Sequence, residues 1–119
     1  SGAPKFLQRA VTMSLGEYKN GERPQMVKDN IAVYQERRNV LVNGLRNLGF
    51  KVDPPKGTFY LWLKVDGPSL KFADTMLNAG IVVTPGIGFG KNGEGYVRMA
   101  TTQPVKRIEE ALERMSKVL

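Results

Sequence analysis

Residues 80–101 read GIVVTPGIGFGKNGEGYVRMAT, and the fold follows from how this stretch is parsed. It opens on the β-branched run Ile81-Val82-Val83, which favours extended backbone. A loop from Pro85 to Gly95 follows, with five glycines and one proline. The pattern then returns to a strand over Tyr96-Val97-Arg98-Met99-Ala100-Thr101. In that strand Tyr96, Arg98 and Ala100 share one face. An arginine within a strand, directly after such a loop, has two readings. It is a solvated residue on an edge strand, which pattern alone favours, or its planar fork is set to grip a carboxylate.

Upstream, Thr58-Phe59-Tyr60-Leu61-Trp62-Leu63-Lys64-Val65 carries the strongest strand signal. Phe59, Leu61, Leu63 and Val65 alternate with Thr58, Tyr60, Trp62 and Lys64, so the first set is expected to be buried under helices. Asp66 or Gly67 is placed to cap a helix over 69–79, with Leu70, Phe72, Ala73, Met76 and Leu77 inward and Gly80 beyond its end. Strand 58–65, this helix and strand 81–84 form a crossover unit, right-handed if the strands are parallel neighbours. Phe50-Lys51-Val52 reads as a short strand, and Asp53-Pro54-Pro55-Lys56-Gly57 as a break.

A long helix over 24–48 precedes these, with Val27, Ile31, Tyr34, Leu41, Leu45 and Leu48 on one stripe, Arg38 interrupting it and Gly49 as left-handed C-cap. At ~1.5 Å per residue it spans roughly 36 Å, a length suited to joining two domains. Residues 4–19 read as another helix, stopped at Asn20-Gly21. Thr102 is expected to cap a last helix carrying Val105, Ile108, Leu112, Met115 and Leu119. The expected class is α+β: a small mixed sheet of three or four strands, covered on one face by helices and preceded by a long interdomain helix.

Composition narrows the chemistry. With no cysteine and no histidine in 119 residues, disulfides, cysteine-ligated zinc and the usual neutral-pH general base are unavailable. A self-contained hydrolase or metalloenzyme does not fit. The net charge of +7 is dispersed, with Arg37-Arg38 and Lys106-Arg107 as the adjacent basic pairs. That favours a solvated basic surface over a polyanion-binding stripe. No apolar run approaches a membrane span and no signal-peptide pattern is present, so a cytoplasmic protein is expected. Ser1-Gly2-Ala3-Pro4 leads straight into helical pattern, which we read as part of a longer protein.

The glycine loop invites two ligand readings, and both fail in detail. A P-loop needs Ser or Thr after its lysine, and Asn92 follows Lys91; a dinucleotide fingerprint needs a helix after the loop, and a strand resumes at Tyr96. Gly88-Phe89-Gly90 partly matches an RNA-reading motif but lacks its further aromatic positions. A basic α+β module binding RNA or another polyanion is the competing function. Otherwise the loop is a flexible hairpin connection or the mobile rim of a ligand site.

Four blocks taken together resemble the C-terminal part of class I/II aminotransferases, the fold-type I pyridoxal-phosphate enzymes of the aspartate aminotransferase type. They are Gly57-Thr58-Phe59-Tyr60-Leu61-Trp62, Gly80-Ile81-Val82-Val83-Thr84-Pro85-Gly86, Phe89-Gly90 and Gly95-Tyr96-Val97-Arg98-Met99-Ala100; Gln8-Arg9-Ala10 adds to the likeness. The resemblance implies that residues 1–22 are the last helix of a large cofactor-binding domain absent from the chain. It implies that 23–119 are the small domain, including the linking helix 24–48. Arg98 falls at the family's substrate α-carboxylate arginine. Gly57, Thr58, Phe59, Pro85, Gly86 and Phe89 fall along the cleft.

The same resemblance implies a full-length enzyme that uses pyridoxal 5'-phosphate to exchange an amino group between an amino acid and a 2-oxo acid. Aspartate or LL-diaminopimelate is the expected type of substrate, with aromatic substrates or a related lyase reaction also open. A homodimer that engages neither nucleic acid nor membrane is implied. No Ser-x-Ser/Ala-Lys motif surrounds Lys5, Lys56 or Lys91, so this chain by itself is expected to bind no cofactor, to hold no catalytic residue and to be inactive.

Overall fold

The computed structural model describes residues 2–119. It divides into two compact units, 1–33 and 34–119, with the dividing point inside the long helix. The first unit holds α1, Lys5–Gly16, and the start of α2, Gln25–Asn47. α1 ends at Gly16 with Glu17 as its C-cap, short of the expected end at residue 19; Asn20 and Gly21, with φ of 53° and 78°, instead turn the chain between Lys19 and Glu22, which form a bridge. No residue of α1 is buried. No helix is long and apolar enough to cross a membrane, among the described residues.

The second unit is a three-stranded sheet with helices against one face. Its strands are β1, Tyr60–Lys64; β2, Thr84–Pro85; and β3, Tyr96–Ala100, with α3, Ser69–Asn78, and α4, Val105–Ser116, between and after them. β3 lies in the middle and pairs antiparallel with both neighbours. The α+β class is found, but no parallel pair makes the sheet mixed. β1 and β2 run the same way with β3 inserted between them, so the expected crossover does not join adjacent strands. The Phe50–Val52 strand is also absent. Arg46 donates through Nε and Nη2 to the Val52 carbonyl, at 3.1 and 2.7 Å, occupying an oxygen that a sheet partner would need. Arg38, which interrupted the apolar stripe, donates to the Pro55 carbonyl, and Arg37 to that of Thr102. Three basic residues of α2 thus staple connecting segments to the helix.

The core follows from the period-two alternation of the strands. Leu61 and Leu63 of β1 and Val97 and Met99 of β3 point inward against Leu41, Val42 and Leu45 of α2, Met76 of α3, and Ile108 and Met115 of α4. Phe59 was expected to join this face, but it precedes the paired residues and remains 41% exposed. On α3, Leu70 and Leu77 are likewise exposed, because Ser69, Phe72, Ala73 and Met76 form the inward stripe. Gly44 lets α4 approach α2: a Cβ there would lie 2.2 Å from Leu112 Cδ1.

Gly49 and Gly80 take the left-handed conformation after α2 and α3, at φ 92° and 75°. The expected caps of the other two ends differ. Pro104, not Thr102, occupies the N-cap of α4, and Pro68 that of α3, neither with a side-chain hydrogen bond. Removing one methyl from the 4%-exposed Ile108, in Ile108→Val, is expected to destabilise the chain by about 1 kcal/mol. A urea denaturation midpoint that does not move would show that α4 packs less tightly than described.

Candidate functional site

The sheet face turned away from the helices carries the site. Register places Trp62, Arg98 and Thr84 in one row across the three strands, flanked by Tyr60 opposite Ala100 and Lys64 opposite Tyr96. Trp62 and Tyr96 are exposed, and Arg98 is partly buried. The Arg98 guanidinium carbon lies 4.1 Å from the Tyr60 ring centroid and 4.6 Å from that of Phe89. Trp62 meets Phe89 edge-on at 5.2 Å and 75°. Phe59 packs against Tyr60 with centroids 4.5 Å apart and the rings tilted by 46°, and Tyr34 lies 6.0 Å from Phe59. A shallow cavity of about 410 Å³ opens beside this cluster, lined by Trp62, Phe89, Asn92, Gly93 and Tyr96.

Among the described residues, Arg98 makes no side-chain hydrogen bond, and the three ion pairs present involve other residues. No buried side-chain nitrogen or oxygen lacks a partner there. Unpartnered yet absent from the fully buried atoms, the Arg98 nitrogens each keep some contact with solvent. The arrangement is a cation held by aromatic rings with its donors unengaged by the chain's own side chains, which can receive an anion.

The glycine loop connects the antiparallel neighbours β2 and β3, as a hairpin connection, and is itself folded. It folds as two 3-10 turns, Gly86–Phe89 and Lys91–Gly93, with Gly90 at φ 113° turning the chain directly after Phe89. Gly86 and Gly93 are pressed together. A Cβ on Gly86 would sit 1.9 Å from the Gly93 oxygen, and one on Gly93 would sit 2.1 Å from the Gly86 oxygen. The loop is tied to the start of α3 by Glu94, whose carboxylate accepts from the Ser69 N–H at 2.7 Å and from the Ser69 hydroxyl at 3.0 Å. The same hydroxyl accepts from the Ile87 N–H at 3.4 Å. Glu94 thus supplies the α3 cap expected from Asp66 or Gly67.

The Ser69 N–H, and then its hydroxyl, hold the Glu94 carboxyl below the usual carboxylate range, against the opposing effect of desolvation. A depressed native value means that this tie stabilises fully above the ordinary carboxylate range. The contribution is lost as pH falls through the native value. Glu113, lowered by the Lys117 hydrogen bond, titrates in the same direction. Unfolding midpoints measured from pH 7 down to 3 are expected to fall more steeply for the parent chain than for Glu94→Gln, with Glu113 responsible for the remainder. Equal slopes would remove Glu94 from the account.

The residues singled out from sequence thus separate. Phe89 meets Arg98 directly, and Phe59 reaches it only through Tyr60. Pro85 pairs with Val97, next in register to Arg98. Gly86 is buried and shapes the loop. Gly57 and Thr58 are exposed, and Thr58 Oγ1 accepts from the Tyr60 N–H at 3.2 Å without contact to the guanidinium. Tyr60, Trp62, Ser69 and Glu94 were not identified from sequence. Strand alternation did put Tyr60 and Trp62 on the open face, but only the β1–β3 register aligns them with Arg98.

Residues 1–115 match the family described as Aminotransferase class I and II. The chain belongs to this family. It is 41% identical over 119 residues to the LL-diaminopimelate aminotransferase of Gloeobacter violaceus, covering 97% of this chain and 29% of that one. It is 47% identical over 90 residues to that of Moorella thermoacetica, covering 73% and 23%. Among solved structures, an aromatic aminotransferase from Pyrococcus horikoshii OT3 superposes with TM-score 0.77 at 37% identity, over 80% of this chain and 26% of that one. The aspartate aminotransferase of Thermus thermophilus with maleate gives 0.74 at 32% identity, over 79% and 25%. This aminotransferase chain therefore spans less than a third of the length of these curated relatives.

Proposed function

We propose that this chain is the C-terminal part of a pyridoxal-phosphate-dependent aminotransferase, and that Arg98 binds the α-carboxylate of its amino-acid and 2-oxo-acid substrates. One observation carries the reading: a strand arginine held between aromatic rings, with no anion and no hydrogen-bond acceptor of its own chain engaging its donors. A fixed planar fork suits a carboxylate, and fixing the carboxylate fixes the direction of the bond to be broken at the neighbouring carbon. The names of the relatives support aspartate or LL-diaminopimelate as the type of substrate.

In this reading residues 1–22 belong to the large domain, and 23–119 form the small domain with the linking helix 24–48. The whole enzyme is a cytoplasmic homodimer. The cofactor supplies an electron sink for chemistry at the α-carbon. The residues present do not fit the cofactor itself: Glu94, the one acid of the glycine loop, has its carboxylate engaged by Ser69 and offers nothing to a pyridine nitrogen. We therefore derive no step through the cofactor from this chain, and expect the chain alone to be inactive. The test is steady-state kinetics of the full-length enzyme with Arg98 replaced. An unchanged KM for both substrates, with cofactor absorbance intact, would refute the role.

A further inference from the structure

We infer that Tyr60 and Phe89 are positioning residues for Arg98, two aromatic jaws that hold the guanidinium plane while leaving its fork free for a substrate carboxylate. The inference rests on the carboxylate role proposed above. Arginine has a long, rotamer-rich side chain, and proteins commonly immobilise it with an internal carboxylate. Such a partner at Arg98 would occupy the same N–H edges that a substrate needs. A ring face avoids that competition. It attracts the cation through its quadrupole and touches the plane of the guanidinium, whereas the five donors project from the rim. The distances of 4.1 and 4.6 Å to two rings, together with the absence of any polar partner among the described residues, meet this requirement.

The jaws come from different elements, and each is braced. Tyr60 sits at the start of β1, backed by Phe59. Phe89 ends the first 3-10 turn of the glycine loop and is backed by Trp62, which β-sheet register places directly opposite Arg98. The Gly86–Gly93 contact and the Ser69–Glu94 tie hold the loop that presents Phe89. The glycine-rich stretch thereby closes one side of an arginine clamp, 9 positions before the arginine in the chain.

The test uses the full-length, cofactor-loaded enzyme with Phe89→Leu, Tyr60→Leu and the ring-preserving Phe89→Tyr and Tyr60→Phe. Cofactor absorbance and thermal melting check that each variant is folded. Steady-state kinetics gives KM and kcat for an amino acid and a 2-oxo acid, and calorimetry gives Kd for maleate, a non-reacting dicarboxylate. Each leucine variant is expected to raise both KM values and the maleate Kd by ~3- to 30-fold, the range of one cation–π contact, with kcat within about twofold. The ring-preserving variants should recover most of that loss. Adding Phe89→Leu to Arg98→Ala should cost nothing further, because the jaw would act only through the arginine. Unchanged maleate binding in both leucine variants, where Arg98→Ala abolishes it, would overturn the clamp alone. So would a Tyr60→Phe variant as impaired as Tyr60→Leu, since the hydroxyl would then carry the effect. Maleate binding that survives Arg98→Ala would overturn the carboxylate role and the clamp with it.

Discussion

Replacing Arg98 by alanine in the full-length enzyme is expected to lower kcat/KM by about three orders of magnitude. Truncating one member of a desolvated, hydrogen-bonded charge pair costs roughly 2–5 kcal/mol, and ~1.4 kcal/mol is a factor of ten. Arg98→Lys should fall between parent and alanine, losing about 10- to 100-fold. Lysine restores a positive charge but presents a point charge on a flexible stem, without the two parallel donors of the fork. It would also stack less well between Tyr60 and Phe89, which lie 4.1 and 4.6 Å from the present guanidinium. The loss should appear for amino-acid and 2-oxo-acid substrates alike, because both carry the carboxylate. Cofactor absorbance should not change. A lysine variant as active as the parent would mean that charge alone suffices; an alanine variant as active would take Arg98 out of the site.

Replacing Gly86 by alanine is expected to destabilise the chain by about 3 kcal/mol, at the upper end of what overpacking costs. The new methyl would lie 1.9 Å from the Gly93 oxygen and 2.6 Å from that of Tyr96. Both obstacles are backbone atoms, so no rotamer change relieves them. Moving Gly93 away would pull on Glu94, which clasps Ser69 at the start of α3. Gly88→Ala is the control: nothing lies within 4 Å of a Cβ there, and the effect should stay within ~0.5 kcal/mol. Urea denaturation of the two variants gives the comparison. Equal midpoints would show that the loop relaxes around the added methyl and that the glycine pair is not a constraint.

These two positions show where sequence reasoning reached and where it stopped. Arg98 was visible as an anomaly, a charged planar side chain inside strand pattern. Gly86 was read only as a residue along a cleft, and its burial against the Gly93 backbone had no sign in the sequence. A glycine pair that lets two turns touch has no local signature, since the same residue type also marks flexible turns. Phe59 shows the same limit for strand patterning. Alternation placed it with Leu61 and Leu63, but β1 begins its pairing at Tyr60, and Phe59 turns outward to brace that ring.

What the sequence by itself determined were the features set by near neighbours along the chain. The helices, the inward faces of β1 and β3, the left-handed glycines after α2 and α3 and the α+β class all follow from periodicity and backbone freedom over a few residues. Only the tertiary structure decided that β3 lies between β1 and β2, that Glu94 caps α3 across 25 positions of chain, and that Tyr60 and Phe89 converge on Arg98. Those outcomes depend on strand register and on contacts between segments far apart in sequence, which residue spacing does not encode.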